Sequence, residues 1–441
     1  MSEWKLKDCC LSISDGDHLP PPKTDSGIPF ITISNIDSTN HIDFSNTLFV
    51  PIEYYENLDD IRKARPNDII YSVVGSFGKP VLIKDDRKFV FQRHIAILRP
   101  NSEIVDSRFL YYVMLSRDFY MQADTVAIGA AQRTISLSSL RNMKVELPSL
   151  PIQHRIATIL SRYDSLIENY QKQIKLLEEA AQRLYKEWFV ELRFPGHENM
   201  KMVDGLPEGW EKKKLGELVT KSIGGGWGKE SPQEKYDKEG FVIRGTDISK
   251  LRCGNLDDIP FRYHTESNLK ERTLSDGDLI FEVSGGSEKE PVGRMYLITQ
   301  QILDFYKKDV ICASFCKKVA FSNKCTSILC YFAMQYCRIS GDMKKFEKDS
   351  AGNIINFAWT SFLEDFFVLL PNDEILEAFY KTAIAIINKQ VNLALQIHLL
   401  TEARDRLLPR LMGGGMEVDA PKGQRAINPV HRSGRPEGAK K

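Results

Sequence analysis

The sequence predicts an α+β protein built from two similar halves, each a globular domain followed by a long helix. Three observations predict this class: short motifs recur in the same order, the globular parts carry short strand patterns, and two long segments have heptad periodicity. The 441 residues are enough for two or three domains with their own cores. We therefore expect an internal repeat with pseudo-two-fold symmetry.

The repeat is visible as pairs of matching segments. The pairs are Trp4–Asp8 with Gly209–Leu218, Gly27–Ile31 with Gly240–Arg244, Pro66–Ile70 with Asp276–Ile280, Gly75–Lys79 with Ser284–Ser287, and Lys144–Pro148 with Phe366–Pro371. After the last pair a constant shift of 223 positions aligns the helices, matching Leu176 with Leu399 and Leu184 with Leu407. Earlier shifts vary, which indicates that insertions have altered the globular parts more than the helices.

The globular parts predict short strands and few helices. Segments such as Phe30–Ile33, Asp68–Val74 and Phe89–Phe91 are rich in β-branched and aromatic residues and are interrupted by Gly, Pro and Asn. A helix is predicted over Ser107–Asp118, with a counterpart near Ser327–Tyr336. This order favours an α+β domain over alternating βαβ units.

The long helices carry apolar residues at alternating steps of three and four, the seam of a coiled coil. The seam positions are Ile156, Leu160, Tyr163, Ile167, Tyr170, Ile174, Leu177 and Leu184 in the first helix, and Ile386, Leu393, Ile397, Leu400 and Leu407 in the second. Gln390 and Arg404 interrupt the second seam. We expect the two helices to pair antiparallel within one chain; a coiled coil that only dimerises the protein is the alternative.

These patterns predict domain boundaries. We expect a first globular domain at 1–147, a central helix at 148–194, a second globular domain at 195–370, a C-terminal helix at 371–412 and a disordered tail at 413–441. The seam from Ile156 to Trp188 spans 33 residues, or about 50 Å. One turn of B-DNA is about 34 Å, so a rod of this length could hold two DNA-binding domains about one turn apart.

Several kinds of chemistry lack their motifs. Gly224–Glu230 resembles a phosphate loop, but Ile223 stands where Gly is required and Glu230 replaces the Ser or Thr. There is no Asn-Pro-Pro-Tyr or Asp-Pro-Pro-Tyr stretch and no His-Glu-x-x-His zinc motif. The eight cysteines lack zinc-ligand spacing, so we expect reduced, mostly buried thiols. Asp37 and Asp247 recur in both halves, and a hydrogen bond that holds the fold is the expected role.

Charge and hydropathy narrow the class further. The net charge of +1 means that any DNA-binding surface must be local or supplied by a partner. The N-terminus has no apolar run typical of a secretory signal, and no stretch approaches the roughly 18 apolar residues of a membrane helix. We expect a cytoplasmic protein without a membrane partner.

One ordered set of motifs resembles a known family. Leu147–Ala157 (LPSLPIQHRIA) leads into the first long helix, which ends Lys186–Phe189 (KEWF); Phe194–Glu198 (FPGHE) and Leu206–Trp210 (LPEGW) follow. This order, duplicated over residues 1–412, resembles the specificity (S) subunit of type I restriction–modification enzymes. The first half begins abruptly at Trp4, and the tail has no counterpart in the first half, which departs from the family pattern.

The resemblance implies a function. Each globular part would be a target recognition domain that reads one half of a split site in double-stranded DNA, and the helices would form an antiparallel coiled-coil spacer. Two methyltransferase subunits and ATP-dependent restriction subunits would be the partners. S-adenosylmethionine, ATP and Mg would bind those subunits and not this chain, which would be non-catalytic. The alternative is a protein scaffold that carries two α+β modules on a coiled coil.

Candidate DNA-contacting residues follow from side-chain chemistry. Arg, Lys, Asn and Gln reach base edges, hydroxyl and cationic groups bind phosphates, and loops of small residues let the backbone approach. On these grounds we select Ser76, Lys79, Arg93, Gln132 and Arg133 in the first domain, and Lys229, Arg244, Ser287, Lys289 and Asn353 in the second. Because the two domains differ greatly in sequence, we expect an asymmetric, bipartite target.

Overall fold

The computed structural model describes residues 2–16, 22–37, 40–130, 132–286, 291–349 and 354–413. These residues form two compact units: the first contains those up to Asp164 and those from Ala403 onward, and the second is Ser165–Glu402. Both units mix helices and strands, which confirms the α+β class. Each long helix is divided between the units, and the predicted tail beyond Gly413 lies outside the described residues.

The first unit contains three small sheets. Its strands are β1 (Ser2–Lys5), β2 (Cys10–Asp15), β3 (Ile28–Ile31), β4 (Leu48–Val50), β5 (Ile69–Ser72), β6 (Pro80–Leu82), β7 (Val90–Phe91), β8 (Ile95–Pro100) and β9 (Lys144–Leu147). Its helices are α1 (Leu6–Cys9), α2 (Ile52–Glu56), α3 (Ser107–Leu115), α4 (Arg117–Val126), α5 (Leu137–Asn142) and the start of α6 (Leu150–Tyr185). The strand orders are β2-β8-β5-β6, β4-β3-β7 and the pair β1-β9.

The central strands β5 and β8 are buried on both faces because alternate side chains enter different cores. Ile69 and Tyr71 pack with α3, α4 and the long helices, whereas Ile70 packs on the opposite face. The same division holds along β8, where Leu98 faces the first core and Ile97 faces the second. Two cores on one central sheet therefore hold the loops at its ends in place.

The second unit repeats this architecture. Its strands are β10 (Met202–Val203), β11 (Leu206–Pro207), β12 (Glu211–Lys214), β13 (Val219–Gly224), β14 (Lys238–Ile243), β15 (Phe261–His264), β16 (Leu279–Glu282), β17 (Ser284–Gly286), β18 (Met295–Leu297), β19 (Asp309–Cys312), β20 (Cys316–Phe321), β21 (Glu347–Asp349), β22 (Ile355–Phe357) and β23 (Phe367–Leu370). Its helices are α7 (Leu215–Leu218), α8 (Asp247–Arg252), α9 (Glu266–Arg272), α10 (Gln300–Tyr306), α11 (Lys324–Ser340), α12 (Trp359–Asp365) and most of α13 (Asp373–Met412).

The sheets match those of the first unit strand for strand. The orders β13-β20-β16-β18, β15-β14-β19 and β12-β23 correspond to the three sheets above, and β17-β22-β21 and the pair β10-β11 are additions. Asn67 and Gly277 occupy equivalent left-handed turns, at φ of 74° and 96°, as the motif comparison requires. One motif alignment was wrong by one residue: the carbonyls of Ile31 and Ile243 accept equivalent hydrogen bonds, so Ile31 matches Ile243 and not Arg244. Such a shift exchanges the two faces of a strand.

The long helices pair antiparallel within each unit. In the second unit, Trp188 contacts Phe379 with ring centroids 5.8 Å apart, and the Gln390 side chain donates to the Ile174 carbonyl. In the first unit, Asp164 bonds Arg404, and Leu411 shares a core with Ile156. Seam positions are buried or half-buried throughout, which confirms the heptad interpretation. A π-helical turn (Lys186–Val190) extends α6.

By length and composition alone, α13 could cross a membrane. Its apolar residues nevertheless pack in protein cores, Phe379 and Ala383 in the second unit and Leu411 in the first. The helix is therefore a core helix of both units.

Candidate nucleic-acid interface

Three segments of the first unit meet at the ends of β5 and β8. The Val73 amide donates to the carbonyl of His94 (2.9 Å), the Ile135 amide donates to Val73 (2.8 Å), and the Gly75 amide donates to Arg133 (2.9 Å). These bonds fix the segments against one another independently of their side chains. We call this surface the first loop edge; it comprises 73–79, 92–95, 128–130 and 132–135.

All five residues selected in the first domain lie on the first loop edge. Ser76, Arg93 and Gln132 are exposed, and Lys79 and Arg133 are half-buried. Sequence reasoning drew them from three separate segments, and the fold brings these segments together. Their DNA contacts stay a prediction.

The two half-buried cations already have protein partners. The Lys79 ammonium donates to the carbonyls of Ile36 (3.3 Å) and Asp37 (3.5 Å). The Arg133 guanidinium pairs with Asp124 and lies over the Phe77 ring, 5.4 Å from its centroid. Both side chains hold loops in place, and the exposed Arg93 has the greater freedom to reach a ligand.

The second unit has an equivalent surface with the same backbone hydrogen bonds. The Val283 amide donates to the Phe315 carbonyl (2.9 Å), as the Val73 amide does to the His94 carbonyl. The Phe357 amide donates to the Val283 carbonyl (2.8 Å), as the Ile135 amide does to the Val73 carbonyl. The Glu282 amide bonds the Arg294 carbonyl, and in the first unit Ser72 bonds Lys79 in the same way. We call this the second loop edge; it comprises 282–286, 291–294, 313–316 and 354–357.

Gly225 explains why a glycine-rich segment follows β13. Its amide donates to the Cys316 carbonyl at 2.9 Å, and a Cβ at this position would lie 2.1 Å from the carbonyl oxygen of Cys312. Only glycine permits the backbone to pass so close to the second loop edge. The segment that resembles a phosphate loop thus has a packing reason for its glycine.

The residues selected in the second domain are placed differently. Lys229 is exposed in the loop after Gly225, with its ammonium 5.6 Å from the Tyr236 ring centroid. Arg244 donates two hydrogen bonds to the buried Asp247, at 2.8 and 2.7 Å, and this interaction raises the pKa of Arg244. Ser287, Lys289 and Asn353 lie outside the described residues.

Asp247 has the expected role of holding the fold. The prediction that Asp37 is its counterpart in the first unit was wrong. The backbone amide of Arg244 donates to Asp247 (2.9 Å), and the amide of Thr32 donates in the same way to Asn35 (2.9 Å). Asn35, and not Asp37, is therefore the equivalent of Asp247. Asp37 accepts instead from the His41 amide within its own loop.

Sequence reasoning missed three residues of the loop edges. Arg294 occupies the place of Lys79 and forms a buried two-bond pair with Glu282 at 2.9 and 2.6 Å. His94 and Phe315 occupy equivalent positions in the two turns. Insertions between the motifs hid these matches, because the shift is 215 positions at Lys79 and 221 at His94. The sequence did hold a signal for matching His94 with Phe315, because each of these residues is followed directly by a strand with apolar residues, β8 and β20.

Among the described residues, no group of three His, Cys, Asp or Glu side chains could hold a metal ion. The cysteines of this part of the chain form no disulfides, and most are buried. Burial raises the pKa of the Cys312 thiol to about 12, so it stays protonated at neutral pH.

The sheet module occurs twice. Each copy is joined to a segment of an antiparallel helix pair and ends in an ordered loop edge. These features define a class of two-module recognition proteins. The profile of the type I restriction modification DNA specificity domain matches residues 3–179. The chain is similar to the specificity subunits of type I restriction–modification enzymes, as the motif order indicated.

Several relatives cover most of the chain. The MjaIX specificity subunit of Methanocaldococcus jannaschii is 27% identical over 71% of this chain and 70% of its own length. The HindI specificity subunit of Haemophilus influenzae is 23% identical over 94% of this chain and 100% of its own. The crystal structure of an S subunit from M. genitalium has a TM-score of 0.54 at 16% identity, with 93% and 95% covered. That structural similarity supports the fold.

Proposed function

We propose that this chain is the non-catalytic subunit that reads an asymmetric, bipartite DNA site for a type I restriction–modification complex. The observation that carries the proposal is the pair of loop edges, which share backbone hydrogen bonds and differ in side chains. A surface of exposed cationic, amide and hydroxyl groups suits contacts with phosphates and base edges.

The side-chain differences support two different half-sites. The pair Ser72 and Lys79 is replaced by Glu282 and Arg294, and His94 is replaced by Phe315. Identical readers related by two-fold symmetry would favour a palindrome, whereas these readers differ in a buried or half-buried pair, and the first carries a histidine where the second has the exposed Phe315. The proposed site is therefore two unrelated half-sites separated by a gap.

The partners in this proposal are two methyltransferase subunits and the ATP-dependent restriction subunits. S-adenosylmethionine, ATP and Mg would be held by those partners. Leu176 and Leu399 support two copies of one partner, because these equivalent helix positions are 63% and 59% exposed. Equivalent exposed leucines on both helices offer the same apolar contact twice. The proposed location is the cytoplasm.

Methylome sequencing of a host with and without this gene tests the site. The expected result is one adenine-methylated motif of two different half-sites separated by a fixed gap. A palindromic or continuous motif would contradict the proposal, and no gene-dependent motif would exclude the role as a methylation subunit.

Reconstitution tests the partners and the division of labour. The chain with its methyltransferase should methylate DNA, and the chain alone with S-adenosylmethionine should not. Binding should weaken steeply with salt. A chain that copurifies with proteins but binds no DNA in any assembly would favour the scaffold alternative.

The loop edge itself is tested by Arg93→Ala against a matched control, Lys7→Ala. Each variant removes one cation, but Lys7 is an exposed residue of α1 outside the first loop edge. A base contact by Arg93 predicts a loss of about 1–3 kcal/mol confined to the first half-site. Equal effects of the two substitutions would show that Arg93 contributes only net charge.

A further inference from the structure

Phe315 presents an exposed aromatic ring on an ordered turn. Its side chain is 63% exposed, although it lies between β19 and β20, whose terminal residues Cys312 and Cys316 are fully buried. The Cys316 amide closes the turn by donating to the Ala313 carbonyl at 2.8 Å. The Phe315 carbonyl accepts from the Val283 amide at 2.9 Å. The backbone is therefore fixed while the ring faces outward.

Exposure alone does not assign a role, because single apolar side chains on a surface are common. The location of Phe315 is the second observation. The turn lies at the centre of the second loop edge, next to β16 and the buried pair Glu282–Arg294. An exposed apolar group is thus held on the surface proposed to meet DNA.

The equivalent residue of the first unit gives a third observation. His94 has the same backbone hydrogen bonds as Phe315 but a polar ring. Burial, with the nearby charge of Arg93, lowers the pKa of His94, so its imidazole is neutral at pH 7 and can both donate and accept. One fixed position therefore carries hydrogen-bonding chemistry in one unit and apolar chemistry in the other.

We infer that Phe315 determines specificity by contacting the C5 methyl group of a thymine in the half-site read by the second unit. In the major groove the thymine methyl is the apolar feature that distinguishes base pairs, and Phe is among the side chains that contact it. This inference rests on the proposed function and adds the base chemistry to it.

The test replaces thymines of that half-site, one at a time, by deoxyuridine, which lacks only the methyl group. The protein is the full chain in complex with its methyltransferase, and the duplex carries the motif found by methylome sequencing. For the unaltered chain, one replacement should weaken binding about fourfold, the effect of one buried methyl group. F315A should weaken binding to the thymine duplex by at least as much, and the same replacement should then have no further effect.

Two further variants make the result decisive. F367A is the matched control, because Phe367 is 41% exposed on β23, outside the second loop edge, and should leave the thymine effect unchanged. F315L keeps an apolar side chain and should keep the preference for thymine, which decides the matter if F315A fails to fold.

Three outcomes would overturn the inference. The first is that no replacement of a thymine in the second half-site changes binding. The second is that the deoxyuridine effect persists in F315A. The third is that F315A weakens binding to every duplex equally, as loss of a ring inserted between base pairs would do. A complex that binds no specific duplex at all would instead refute the proposed function, so the two failures are distinguishable.

Discussion

Replacing Asp164 by Ala removes the centre of a polar network in the first unit. Asp164 of α6 accepts hydrogen bonds from the Tyr112 hydroxyl of α3 and from the Arg404 guanidinium of α13. Its side chain is 18% exposed and that of Arg404 is 25% exposed. Both partners would be left largely buried without their acceptor, so the substitution should destabilise the first unit.

The expected magnitude follows from these contacts. A hydrogen bond to a charged group contributes roughly 1.5–3 kcal/mol, and partial exposure reduces each of the two contributions. We expect a loss of about 2–4 kcal/mol, which corresponds to about 30- to 700-fold faster amide exchange. Hydrogen exchange of α3 is the appropriate measurement, because a chain of two units does not unfold in one step.

A matched comparison is available in the second unit. Glu178 pairs with Arg252 at 2.9 Å, but the Glu178 side chain is 42% exposed. Glu178→Ala should therefore cost less than about 1 kcal/mol. Two results would refute the role of Asp164. One is a change of less than about 0.5 kcal/mol in the free energy of amide exchange in α3 for Asp164→Ala. The other is a change no larger than the one that Glu178→Ala causes in the second unit.

The double substitution of Asp164 and Arg404 by Leu should recover the part of the loss that comes from Arg404, while the buried Tyr112 hydroxyl still lacks its acceptor. The shift of 223 positions aligns these residues with Ile387 and Ala181, which are buried and apolar in the second unit. An apolar pair is thus already accommodated at the equivalent level of the helix pair, and replacing a buried ion pair by apolar residues is often neutral. A double variant as unstable as the single one would contradict this expectation.

Three more substitutions or treatments give clear expectations. Gly225→Ala should destabilise the second unit by about 1–3 kcal/mol in urea unfolding, because the new Cβ would overlap the Cys312 carbonyl. Gly224→Ala is the control and should change urea unfolding little, because a Cβ at Gly224 meets open space. Burial lowers the pKa of His264, so the second unit should lose stability as the pH falls below about 6.5, and a His264→Phe variant should lack this loss in urea titrations. Iodoacetamide at about pH 8 should modify the exposed Cys253 before the buried Cys312; the reverse order in peptide mass spectra would contradict the burial argument.

The helices were the most predictable part of the fold. Heptad spacing depends only on local sequence, so the buried seam could be read from residues such as Ile156 and Ile397. Arg404 was visible as an interruption, but its partners Asp164 and Tyr112 come from distant segments, and no sequence rule joins them. The tertiary contact that gives Arg404 its role had to come from the structure.

The loop edges were predictable as a set of segments but not residue by residue. Small-residue loops indicated the first edge, and all five selected side chains lie there. In the second unit the segment between β16 and β18 is longer than its counterpart between β5 and β6, so Ser287 and Lys289 were selected there and Arg294 was overlooked. The guanidinium of Arg244 is bound to Asp247, which serves the local fold.

The contrast between backbone and side chains explains how one fold can serve two half-sites. The turn bonds of Ile95 to Gln92 and of Cys316 to Ala313 are equivalent, at 3.0 and 2.8 Å, and none of these contacts uses a side chain. A side chain between them, His94 in one unit and Phe315 in the other, can change without disturbing the turn. Because the geometry is held by main-chain bonds, substitutions at such positions can change the chemistry of the surface at little cost in stability. This separation favours two independently varied readers over two copies of one reader.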